Sequence, residues 1–176
     1  MKKLLVVVDM QNDFITGSLG TKEAQAIVKP IAELVNNFEG DIVFTQDTHY
    51  ENYLSTQEGK HLPVPHCIKN TEGWKIVSEI DTVSYLKSKY SKFIYEKETF
   101  GSVELANLIY RMKEDWNEII LCGVCTGICV LSNAILIKSL CPEIKITILK
   151  DLCACVTPES HKNAIEVIKL LQVDVK

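Results

Sequence analysis

A chain of 176 residues, 47% of them hydrophobic, is long enough to bury a substantial core and is expected to form one soluble domain over residues 1–176. Its formal charge of −4 comes from acids and bases mixed along the sequence, without the one-sided basic footprint that phosphate-backbone binding requires, so nucleic acid is not an expected partner. No apolar stretch approaches the roughly 20 residues of a membrane-spanning helix, so no membrane partner is expected either.

The chain opens with Met1-Lys2-Lys3 and a five-residue apolar run ending at Asp9. The run is too short for a secretory leader and lacks a small-residue cleavage site, so it reads as a buried strand and a cytoplasmic location is expected. Seven cysteines, an odd number, mostly in or beside apolar segments, are expected to be reduced thiols.

In chain order, Leu4 to Val8 is the first expected strand and Ala24 to Phe38 the first helix, starting late or kinking at Pro30. Ile42 to Thr45 is a second strand. From Tyr50 to Gly73 no period is visible, and Gly59, Pro63, Pro65 and Gly73 mark a long loop of a kind that compact domains keep for function. A strand over Lys92 to Glu96 precedes a helix over Val103 to Trp116, capped by Ser102. Then come a strand over Ile119 to Val124, a helix over Val130 to Leu140, a strand over Ile146 to Leu149, and a helix over Ala164 to Leu171 behind Thr157 and Pro158. This alternation predicts an α/β fold of three layers, α/β/α, doubly wound on a mostly parallel sheet.

In such sheets ligands bind beyond the carboxyl ends of the strands. That rule selects Asp9, Asp47 and His49, Lys97, and the cysteines Cys122, Cys125 and Cys129. Cys129 falls where a helix should begin, and a helix N-terminus is expected to lower a thiol pKa. The turn Cys125-Thr126-Gly127-Ile128 offers backbone N–H groups to a developing oxyanion. Asp47-Thr48-His49 points a carboxylate and an imidazole to the same side of an extended chain. With His66 and Glu58 in the following loop, this set suits Zn²⁺, Mn²⁺ or Fe²⁺. A buried small hydrophobe remains the alternative for Cys129, and a solvated strand end for each charged residue.

Taken in order, Val8-Asp9-Met10-Gln11-Asn12-Asp13-Phe14, Thr45-Gln46-Asp47-Thr48-His49, Leu62-Pro63-Val64-Pro65-His66-Cys67, Lys97-Glu98-Thr99-Phe100-Gly101-Ser102 and Gly123-Val124-Cys125-Thr126-Gly127-Ile128-Cys129-Val130 resemble the isochorismatase-like cysteine hydrolases. Within them the likeness is to bacterial nicotinamidases, which also hydrolyse pyrazinamide. The resemblance implies the isochorismatase-like hydrolase fold and the triad Asp9, Lys97 and Cys129. It further implies a cis peptide at Val124-Cys125, an oxyanion hole from the N–H groups of Cys125 and Cys129, and metal ligands Asp47, His49 and His66. Glu58 matches a fourth ligand position, and His61 is a bystander. Phe14 and Phe100 are expected at the substrate pocket. The implied activity is hydrolysis of a small amide, nicotinamide, through a Cys129 thioester, in pyridine nucleotide salvage, by a homo-oligomer holding a divalent ion, zinc foremost. The alternatives are a relative acting on another small amide or a vinyl ether, and a non-catalytic metal-binding assembly module. Family members commonly carry alanine where this chain has Cys125.

Overall fold

The computed structural model describes residues 2–80 and 93–176. Among these residues six strands form one sheet: β1 (Lys3–Val8), β2 (Asp41–Asp47), β3 (Ile94–Lys97), β4 (Glu118–Val124), β5 (Lys145–Ala154) and β6 (Asp174–Val175). Every pairing is parallel, in the order β3-β2-β1-β4-β5-β6. The helices are α1 (Asn12–Ile15), α2 (Lys22–Asn37), α3 (Gln57–His61), α4 (Val103–Arg111), α5 (Leu131–Leu140) and α6 (Pro158–Leu170). Crossovers from β1 to β2 and from β4 to β5 advance in opposite directions, and right-handedness then puts α2 on one face and α5 on the other. The chain is therefore the expected doubly wound, three-layer α/β/α fold.

The order reverses between β1 and β4, which opens a crevice at their carboxyl ends. β1 lies at the centre of the core: Leu4 to Val8 are each 0% exposed, and their burial contributes about 10 kcal/mol as an upper estimate. None of the helices among the described residues is long and apolar enough to cross a membrane.

Several boundaries differ from the sequence expectation. α2 starts at Lys22, capped by Thr21, and runs through Pro30. Pro30 and Ala26, whose carbonyl the missing N–H would have met, both lie on the exposed face, where the carbonyl is open to solvent. α4 stops at Arg111 instead of Trp116, because Trp116 turns inward and its Nε1 donates to Asp41 Oδ2 at 2.8 Å. α6 does begin at Pro158 behind the expected N-cap Thr157, whose capping box with Ser160 starts the helix six residues before the apolar periodicity becomes visible at Ala164. β5 continues to Ala154 past a register shift opposite Leu121 and Gly123, where Lys150 and Asp151 break the apolar pattern. The two-residue β6 carries too little sequence to be recognised. The strand expected over Lys92 to Glu96 is Ile94–Lys97, and Lys92 itself lies outside the described residues. The loop from Tyr50 to Gly73 holds a 3₁₀ turn, Tyr53–Ser55, and the short α3.

Candidate active site

Three strand ends converge at the crevice. Asp9 follows β1 in the left-handed region at φ 49°, fully buried, and its Oδ1 accepts from Thr45 Oγ1 at 2.7 Å. Asp47 and Lys97 are the last residues of β2 and β3, not the residues after them, and they are register partners. Partners on adjacent parallel strands project to the same side, which brings Lys97 Nζ to 3.1 Å from Asp47 Oδ1. The same ammonium lies 2.7 Å from Asp9 Oδ2, as an ion pair without the alignment of a hydrogen bond, and donates to Cys129 Sγ at 3.6 Å.

Cys129 sits in a π-helical turn, Thr126–Val130, that joins β4 to α5 and follows a cis Val124-Cys125 peptide. Gly123 makes this approach feasible: its φ is +116°, and a Cβ there would stand 2.1 Å from the Val8 carbonyl oxygen of β1. Within the turn, Cys125 O accepts from the N–H groups of Ile128 (3.0 Å) and Val130 (3.1 Å). Asn133, four residues on, donates to Cys129 O at 2.8 Å and accepts from Ser102 N at 3.0 Å, tying the nucleophile turn to the α4 cap.

The expectation that a helix N-terminus would acidify Cys129 is overturned. Burial and the neighbouring Asp9 carboxylate push its thiol well above the ordinary value, and Lys97 offsets this only in part. Burial likewise raises Asp9 against the pull of Lys97. For Lys97, burial is outweighed by Asp9, Cys129 and Asp47, which hold it above the usual ammonium range. The resting site is thus a charged amine beside a neutral thiol, with a carboxylate primed to take a proton.

The Asp47, His49 and His66 side chains are buried together, with one potential ligand atom from each within 4.8 Å of the others. His49 Nε2 and His66 Nε2 lie 3.0 and 3.5 Å from Asp47 Oδ2 and 3.6 and 3.8 Å from Glu58 Oε1. Ligand atoms bound to one ion at about 2.1 Å sit about 3.0–3.4 Å apart, so the cluster has the dimensions of a divalent-metal site. Two further features fit. His49 Nε2 is buried without a hydrogen-bond partner, and His66 Nδ1 is 2.8 Å from Val64 O, which assigns the proton to Nδ1 and presents Nε2 as a lone pair. Burial would depress the His49 imidazole, yet the Asp47 and Glu58 carboxylates push it up to about 9. Burial would raise Asp47, but the adjacent His49 and His66 imidazoles and the Lys97 charge hold it far below the usual carboxylate range. His61, at the end of α3, is exposed.

Several supporting residues were not singled out from the sequence. Gln11 clamps Asp47 through both backbone groups, accepting from its N at 2.7 Å and donating to its O at 2.8 Å. Asp13 Oδ2 accepts from Cys67 N at 2.7 Å and fixes the chain beside His66. Thr45 and Asn133 act similarly on Asp9 and Cys129. Only Asn133 carried a signal, its i+4 spacing from Cys129 on a helix.

A cavity of about 190 Å³ connects the two clusters, with Phe14, Phe100 and Ala154 on its walls and Asp47, His66 and Cys129 among its polar groups. Both expected phenylalanines thus line it, and the Phe14 ring centroid is 5.5 Å from that of His66. A wider groove of about 930 Å³, lined by Tyr50 and Gln57, shares Glu58, Leu62, Phe100 and Ile128 with the cavity. Cys129 lines the smaller space, with Asp9 and Lys97 behind it.

Residues 3–175 match the Isochorismatase domain. The chain belongs to the isochorismatase family. A Saccharomyces cerevisiae nicotinamidase is 30% identical to this isochorismatase-family chain over an alignment of 215 positions, covering 98% of each. The pyrazinamidase/nicotinamidase structure from Streptococcus mutans superposes with a TM-score of 0.83 at 29% identity, covering 99% of this chain and 100% of that one. Pyrazinamidase of Pyrococcus horikoshii in complex with zinc gives 0.79 at 27% identity over 100% and 99%.

Proposed function

We propose that this amidohydrolase is a single-domain, divalent-metal-dependent nicotinamidase that converts nicotinamide, and pyrazinamide, to the acid and ammonia. The observation that carries the reading is the meeting of Asp9 and Lys97 with Cys129, which lines a cavity sized for one aromatic ring, beside a buried Asp47–His49–His66 cluster.

The substrate carboxamide presents its carbonyl carbon to Cys129 Sγ. As the S–C bond forms, the thiol proton passes to Asp9, whose raised pKa favours receiving it. The carbonyl electron pair moves onto oxygen, where the N–H groups of Cys125 and Cys129 receive it. Asp9 then delivers its proton to the departing nitrogen, releasing ammonia and leaving a thioester. Asp9 next takes a proton from water as the water attacks; collapse releases the acid and returns the proton to the sulfur. Lys97 stays charged throughout and holds Asp9 ionised between transfers. Asp47, His49, His66 and Glu58 would hold the divalent ion, which when bound supplies Lewis-acid anchoring for a ring nitrogen. Phe14 and Phe100 shield the ring from water.

The test is ammonia release over a panel of aromatic and aliphatic amides. Turnover should be highest on nicotinamide and pyrazinamide and abolished by Cys129→Ala. Activity confined to aliphatic amides, or retained in Cys129→Ala, would end the reading.

A further inference from the structure

Two thiols at the cavity wall take no part in the proton transfers above. Gly123 pairs with Cys153 and Val124 with Ala154 across β4 and β5, so the next residues, Cys125 and Cys155, leave the sheet side by side. Neighbouring strands run about 4.8 Å apart, within the Cα separation of about 4.4–6.8 Å that a disulfide spans. Both residues line the cavity, and each thiol stands near enough to shift the titration of the other. Cys155 also faces the Ser160 hydroxyl and the N–H groups of Gly127 and Val156. A Cβ on Gly127 would stand 3.8 Å from Cys155 Sγ, so the turn that carries Cys129 folds directly over this sulfur.

The two sulfurs differ in character. The neighbouring Cys125 thiol leads the groups that, against burial, bring the Cys155 thiol down to about 5. The same proximity, with burial, keeps Cys125 protonated. Cys129 is also held as a thiol. Cys122 on β4 and Cys153 on β5 are buried away from the cavity and stay protonated.

We propose that Cys125 and Cys155 form a peroxide-responsive dithiol in the wall of the substrate cavity, with Cys155 the reacting thiol and Cys125 the resolving one. The Cys155 sulfur attacks hydrogen peroxide: an S–O bond forms, the O–O bond breaks, and hydroxide leaves, taking up a proton as water. Cys125 Sγ then attacks Cys155 Sγ; an S–S bond forms, the S–O bond breaks, and the Cys125 proton leaves with the hydroxyl as a second water. Two thiols are oxidised by two electrons and one peroxide is reduced. The cross-link clamps the turn between β4 and Cys129 and halts turnover until a dithiol reductant opens it. Meanwhile the nucleophile, protonated and slower to react, escapes irreversible oxidation.

The experiment treats the full-length, metal-loaded protein with a few equivalents of hydrogen peroxide, alkylates the remaining thiols, and maps peptides by mass spectrometry. The expected first product is a peptide pair linked through Cys125 and Cys155 with Cys129 still alkylated. Turnover should fall by about tenfold or more and return with dithiothreitol. Oxidation of Cys129 while Cys125 and Cys155 both remain alkylated overturns the proposal. In Cys155→Ser the cross-link should vanish and peroxide inactivation should resist dithiothreitol; unchanged reversible inactivation in that variant also overturns it. The cross-link is read by mass, so its failure is separable from that of the amidase reading, which shows as no ammonia from the reduced protein.

Discussion

Lys97 is where two clusters share one charge. Its ammonium touches Asp9, Cys129 and Asp47, so it serves the proposed acid–base pair and braces a metal ligand at once. Lys97→Met removes a buried cation from between two buried carboxylates and should lower kcat by about a thousandfold. Lys97→Arg should not rescue it, because a planar guanidinium cannot occupy the same compact position; steady-state ammonia assays decide both. At this scale the sequence was informative at the carboxyl ends of strands, where Asp9 follows β1 and Asp47 and Lys97 close β2 and β3. Thr45 and Gln11 were not legible, because their partners are set by strand pairing and no local spacing announces them. The charge state of Cys129 was misread for a physical reason: position at a turn speaks of backbone dipoles, whereas enclosure beside a carboxylate depends on the whole fold.

Among the elements, the junction from β4 into the π-helical turn is the least tolerant. Gly123→Ala sets a side chain against the Val8 carbonyl in a backbone region that alanine disfavours, and it should cost about 3 kcal/mol or more by chemical denaturation. At the opposite end of β4, Glu118 accepts from Thr147 Oγ1 at 2.7 Å and faces Lys145 Nζ at 3.5 Å, linking β4 to β5. Burial would raise its pKa, but the Thr147 hydrogen bond and the Lys145 and Lys176 charges hold it below 4.5. A depressed folded-state pKa means that the contribution is complete above the unfolded value and fades as pH falls through the folded one. Glu118→Gln should therefore cost about 1 kcal/mol at neutral pH and less in acid, measured as paired denaturation curves. Element types followed from periodicity and caps. The errors fell where burial changes within an element, as at Trp116, or where polar residues interrupt a strand, as at Lys150 and Asp151.

For the molecule as a whole, the metal prediction is separable from catalysis. An ion that binds only the folded cluster raises the melting temperature as its concentration rises. Zinc should raise the Tm of the chelator-stripped protein, and the His49→Ala, His66→Ala double variant should show no such shift in differential scanning fluorimetry. Chelation should abolish ammonia release while leaving the far-UV circular dichroism near native, since the core around β1 does not depend on the cluster. The alternation of strands and helices was legible as a doubly wound sheet. Which strands lie side by side was not, because parallel pairing leaves no mark in the spacing of residues along one strand.

The reversal of strand order between β1 and β4 divides labour along the polypeptide. The acid, the amine and every candidate metal ligand belong to the stretch ending at Lys97; the sulfur and its flanking turn belong to the portion beyond Lys97. Cut between these portions, the chain would give one fragment with charges but nothing to attack an amide and another with a thiol lacking its proton acceptor. Reactivity would then report reassembly of the two, a property the central seam of the sheet confers on this enzyme without any added reporter.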